Sequence, residues 1–100
     1  MSAISAKKIN TAGGETAIYV ADAADKLRVK VRGFIILTDG TNAATLALRK
    51  GAAGAEVLTG KCGGAAFMSG ISLTDGIPVN GNLYAQVTGT GAEAWILFSM

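Results

Sequence analysis

Fourteen glycines against a single proline fall between short apolar runs along this chain, and that punctuation constrains the fold more than any other feature. Glycine interrupts helices and supplies the positive φ angles of tight turns, so strand-length apolar runs divided by glycines read as strands joined by turns. One segment competes. Between Asn42 and Lys50, alanine and leucine favour a helix and Gly51 would stop it. Leu46 and Leu48 alternate with Thr45, Ala47 and Arg49, however, which is the period of a strand, and so short a helix would be marginal.

Strands are expected at about residues 3–9, 16–21, 27–37, 44–49, 56–61, 66–73, 83–88 and 92–98, with a short piece at 77–79. About eight short strands in 100 residues imply an all-β domain, a compact antiparallel β-sandwich of jelly-roll-like form, with a small barrel as the alternative. Asp39-Gly40, Asp75-Gly76 and Asn80-Gly81 read as turns, and Gly89-Thr90-Gly91 as a hairpin loop between the last two strands. Leu-Thr-Asp-Gly occurs at 37–40 and again at 73–76, which reads as a reuse of good turn residues in preference to a trace of two related halves. The length suits one domain. The sandwich is expected over residues 15–100.

Half the residues are apolar and only 16% are charged, so the surface is poor in charge and a partner is expected to cover part of it. No apolar run approaches the roughly 20 residues that span a bilayer as a helix, so no membrane is expected. The basic pair Lys7-Lys8 follows a feeble apolar stretch, the wrong order for a secretory signal, and synthesis in a cytoplasm is the expectation.

Catalysis is constrained by what is missing. The chain has no histidine and one cysteine, Cys62, which removes the usual base for serine or cysteine nucleophiles and any internal disulfide. Of seven carboxylates, Asp22, Asp25, Asp39 and Asp75 sit next to expected turns, where a carboxylate bonds backbone N–H groups. Gly51-Ala52-Ala53-Gly54 and Gly60-Lys61-Cys62-Gly63-Gly64 lack phosphate-loop spacing and read as turns. Asp39, Asn42, Asp75, Asn80 and Asn82 offer oxygen atoms for calcium, but without the spacing of a calcium loop. No catalytic residue, metal or cofactor is expected.

Lys26, Arg28, Lys30 and Arg32 alternate with Leu27, Val29 and Val31 at period two, making one face of that strand basic and the other core. Two readings stay open: a solvated face or lysine-protected edge, and a stripe that docks an acidic neighbour. Nucleic acid is disfavoured, because a net charge of +2 is small and interleaved aromatics are absent. Phe34 to Leu37 and Ala94 to Phe98 are apolar on both faces, whereas the outer face of a lone sandwich alternates to polar residues. A homo-oligomer or host lattice is therefore expected, with Trp95 either an interface anchor or a core residue.

Thr16-Ala17-Ile18-Tyr19-Val20 leading into Lys26-Leu27-Arg28-Val29, then Thr45-Leu46-Ala47-Leu48-Arg49-Lys50-Gly51, and the stretch from Gly81-Asn82-Leu83-Tyr84 to Thr88-Gly89-Thr90-Gly91 resemble the small β-sandwich virion proteins of tailed bacteriophages. That group includes head decoration, or cement, proteins and fibre-associated proteins. The resemblance implies a virion protein, often trimeric, that straddles joints between major capsid subunits and stabilises the shell, with an extended N-terminal arm, here residues 1–14 with Lys7, Lys8 and Gly13-Gly14, making lattice contacts. It implies no catalytic residues. A tail or fibre component, or a carbohydrate- or receptor-binding module, is the alternative. The last would need solvent-exposed aromatics, and the six present read as mostly strand-buried.

Overall fold

Alternation of buried and exposed residues organises the chain into strands, and the computed structural model describes residues 4–20 and 29–100. The strands are β1 (Ser5–Asn10), β2 (Thr16–Tyr19), β3 (Val29–Leu37), β4 (Ala44–Lys50), β5 (Ala55–Cys62), β6 (Met68–Val79), β7 (Leu83–Thr88) and β8 (Glu93–Ser99), with 3-10 turns at Thr11–Gly13 and Gly64–Ala66. Two four-stranded sheets result, ordered β1-β8-β3-β6 and β2-β7-β4-β5, with every pairing antiparallel. Strand pairs β1–β8, β2–β7, β3–β6 and β4–β5 are those of one long hairpin wound around a core. Each strand crosses to the opposite sheet from the one before it, except at the β4–β5 hairpin. This connectivity is a jelly roll.

The expected helix competitor is a strand: Ala44, Leu46 and Leu48 of β4 are buried while Thr45 is exposed and Ala47 and Arg49 are half-buried. Along β7, Leu83, Ala85 and Val87 are buried, and Ala94 and Ile96 of β8 meet them from the other sheet. Such a core stabilises through apolar area removed from water, about 25 cal/mol for each Å². Phe34 spans the sandwich, and its ring lies so close to Gly60 of β5 that a Cβ there would come within 2.4 Å of it. Opposite the core, on the outer face of the β2-β7-β4-β5 sheet, Arg49 Nη1 donates to Glu15 Oε2 at 3.0 Å and to Gln86 Oε1 at 3.1 Å. Glu15 Oε1 also accepts from the Ala53 N–H at 2.7 Å, which ties the β4–β5 turn to the connection before β2.

Two expectations are corrected. Gly89-Thr90-Gly91 is not a hairpin loop: β7 and β8 lie in different sheets, and the loop arches between them. A short glycine loop between two amphipathic strands serves either geometry, and the choice fell to strand pairing, since β8 sits between β1 and β3 while β7 sits between β2 and β4. Asp75-Gly76 does not separate two strands. Residues 73–76 form a bulge inside β6 opposite the single residue Arg32, with Gly76 at φ +74°, whereas the matching Asp39-Gly40 does connect β3 to β4. The strand expected at 3–9 is β1, paired with β8 from Ser5↔Phe98 to Asn10↔Glu93.

Strand β3 changes phase in its middle. Val29 and Val31 point inward, and so do Phe34 and Ile36, because the register slips between Val31 and Gly33 against both neighbours. A slip of one residue flips every later side chain to the other face. Gly33 makes it with φ +152°, and a Cβ there would fall 2.3 Å from the carbonyl oxygen of Ile71. We predict that Gly33→Ala lowers the unfolding free energy by about 2 kcal/mol or more, read by urea denaturation. Gly51→Ala, at φ +81° but facing open space, is expected to cost only about 1 kcal/mol.

Candidate functional site

The phase change in β3 divides the outer face of the β1-β8-β3-β6 sheet into two parts. Before Gly33, the outward residues are Lys30, exposed, and Arg32, half-buried. After it they are Ile35 and Leu37, both half-buried. In register beside them, Trp95 of β8 stands between Lys8 of β1 and Ile35 of β3, and Leu37 stands between Glu93 of β8 and Met68 of β6. Trp95 is 37% exposed and Met68 60% exposed. The result is an apolar strip across the sheet, Trp95, Ile35, Leu37 and Met68, with a basic margin at Lys30 and Arg32.

The chemistry of the two outer faces decides which one is available. The β2-β7-β4-β5 face carries Arg49, Glu15 and Gln86 bonded to one another, a face suited to water. The β1-β8-β3-β6 face carries large apolar side chains next to a single ion pair, Lys8–Glu93, and a contiguous exposed apolar patch marks an interaction site.

The positions proposed from sequence separate accordingly. Lys8 Nζ pairs with Glu93 Oε2 at 2.6 Å, with both side chains partly exposed, a pair worth about 0–1 kcal/mol that positions charge more than it stabilises. Lys7 has another task. Its Nζ donates to the Ala17 carbonyl oxygen at 3.0 Å, which clasps β1 to β2 across the two sheets. Lys30, Arg32 and Trp95 share the outer face with Lys8. The Arg32 stem packs over Gly76, and its Nε is buried without a hydrogen-bond partner among the described residues. Lys26 and Arg28 lie outside the described residues.

Sequence reasoning missed Phe67. It precedes β6, is 63% exposed and has φ +63°, a conformation that costs an aromatic residue energy and is held where the surroundings over-determine it. Its carbonyl accepts from the Thr38 N–H at 2.8 Å, and its ring lies against Gly40. It stands directly before Met68 at the end of the sandwich, where its ring covers the β3–β4 connection. The signal was an aromatic directly after Gly63-Gly64-Ala65-Ala66, where a glycine-rich connection leads into an edge strand.

Beneath that end, Asp39 organises the β3–β4 connection: Oδ1 accepts from the N–H groups of Thr41 at 2.8 Å and Asn42 at 2.7 Å, and Oδ2 from Asn42 Nδ2 at 2.8 Å. The backbone bond from Asn42, then that from Thr41, hold the Asp39 carboxyl below its ordinary range. A carboxyl depressed on folding contributes stability above its unfolded pKa, and loses it as pH falls through the folded one. Asp39→Asn is therefore expected to melt below the native chain at neutral pH, and the gap in Tm to close as the acid range is crossed in a pH series of thermal melts.

An open hollow of about 450 Å³ is lined by Thr11, Gln86, Val87, Thr88, Gly89 and Thr90. Among the described residues, no group of three or more His, Cys, Asp or Glu side chains is placed to hold a metal ion. No helix among them is long and apolar enough to cross a membrane. No protein-family profile, curated protein or solved structure matches the chain.

Proposed function

We propose that this chain is a non-catalytic structural subunit, a decoration or cement protein of a phage head, that attaches to the shell through the outer face of its β1-β8-β3-β6 sheet. The observation that carries the reading is the apolar strip of Trp95, Ile35, Leu37 and Met68 beside the cations Lys30 and Arg32. Apolar burial supplies adhesion, and the cations favour a neighbour, such as a major capsid protein, whose surface is acidic. The jelly roll, a scaffold used by viral capsid proteins among others, and the resemblance of the strand sequences to small phage virion proteins both support it.

Magnitude fits attachment in many copies. Four strands about 4.8 Å apart, each presenting about 20 Å of length, offer roughly 400 Å², half of the ~800 Å² per partner of a standard stable complex. One contact of that size is weak, and repetition over a lattice makes attachment strong through effective concentration.

A second reading has its own observation. Trp95 and Phe67 are exposed aromatics, and the hollow bordered by Thr11, Gln86, Thr88 and Thr90 offers hydroxyl and amide groups, as a carbohydrate- or receptor-binding module of a tail or fibre requires. The two readings predict different partners. Virus particles released by the producing host, sedimented through a density gradient and probed with antibody, are expected to carry the protein in the fraction of filled heads, and Trp95→Ala is expected to move it to the top as free protein. Protein that is wholly free in the native case, or that binds a glycan array instead, overturns the decoration reading.

A further inference from the structure

Among the described residues the two sheets have four edges, β1, β6, β2 and β5, and an edge strand is a template for pairing with another chain unless something blocks it. Three of these edges are blocked. Strand β1 carries Lys7 and Lys8. Strand β2 has four residues with a break in register between Ala17 and Tyr19. Strand β5 carries Glu56 and Lys61, with a register shift at Val57. The second half of β6 is also guarded, by the 73–76 bulge, Asp75 and Pro78. The first half, Met68, Ser69, Gly70, Ile71 and Ser72, has no charge, proline or register break, and it pairs evenly with β3 from Leu37↔Met68 to Gly33↔Ser72. Met68, Gly70, Ile71 and Ser72 are exposed.

We propose that residues 68–72 of β6 pair antiparallel with the same residues of a second copy of this chain, around a two-fold axis at Gly70. The backbone is oriented for it. The Thr38 N–H bonds the Phe67 carbonyl oxygen at 2.8 Å, so residues 67, 69 and 71 turn their peptide groups toward β3, and by alternation Met68, Gly70 and Ser72 turn theirs to the free edge. A two-fold antiparallel pair must place one residue opposite itself. Gly70 at that point brings no side chain to the axis, and Met68 then exchanges backbone bonds with Ser72 of the second copy in both directions. Ser69 faces Ile71 of the second copy, covering an isoleucine that is 41% exposed, and no like charges are opposed. The axis runs perpendicular to the sheet, so the two Trp95 faces lie on the same side of one eight-stranded sheet. This edge closes at two copies, in contrast to the three-fold assembly that the resemblance implies, and it is independent of what the outer face binds.

Sedimentation velocity of the full chain from micromolar to millimolar concentration, combined with amide hydrogen exchange by NMR, tests it. The expected result is a monomer–dimer equilibrium in which the Met68, Gly70 and Ser72 amides become protected as concentration rises, while Ser69 and Ile71 are already protected by β3. Ser72→Pro removes one donor from each copy, and is expected to raise the dimer Kd roughly ten-fold or more. Should that variant not fold, exchange in the native chain decides alone. Trp95→Ala, which weakens only the outer face, is expected to leave the dimer intact. A monomer at every concentration, a closed trimer, a dimer whose 68, 70 and 72 amides exchange as in the monomer, or a dimer lost in Trp95→Ala overturns the proposal.

Discussion

The turn of phase at Arg32 and Gly33 is the constraint on which the rest of the molecule depends. Strand β3 lies inside its sheet, paired with β8 on one side and β6 on the other. Without the slip, strict alternation from Val31 would send Phe34 and Ile36 outward and leave Gly60 facing a void. With it, Val29, Val31, Phe34 and Ile36 all enter the core. The same slip sorts the outward residues, cations first and apolar residues after. Core and candidate docking face are thus two results of one backbone event, made affordable by a glycine whose Cβ would collide with the carbonyl of Ile71.

The wound hairpin then decides what surrounds that strand. Because β1 pairs with β8, the first and last described strands close one sheet together, and Trp95 comes to stand beside Lys8 and Ile35, residues far apart in the chain. The opposite sheet satisfies its outer polar groups internally, through Glu15, Arg49 and Gln86. The asymmetry between the two faces, one polar and internally bonded, the other largely apolar beside one ion pair, directs a partner to the second. Edges follow the same division: charge, shortness or a bulge guards each described edge except the first half of β6.

Much of this was legible from residue pattern, and the failures have physical causes. The all-β sandwich follows from glycine punctuation and period-two alternation, and β4 was separable from a helix because Leu46 and Leu48 keep the strand period. Exposure of Phe67 was not legible, since an aromatic near a strand reads as buried unless the path of the chain is known. Asp75-Gly76 has the chemistry of a turn and adopts the positive φ of one, yet the chain continues along the same neighbour, as a bulge. Lys7 and Lys8, adjacent in sequence, part because neighbouring strand residues point to opposite faces.

Local backbone preference and composition are enough to give the class of fold, most of the strand segments, the glycines that take positive φ, and the absence of histidine chemistry. Strand order, the arch at Gly89-Thr90-Gly91, the union of β1 with β8, and which outer face stays largely apolar emerge only in the folded chain. Those outcomes depend on which strand finds which neighbour. Pairing between distant segments is set by the burial of all the inner faces at once, a requirement that no local window of sequence contains.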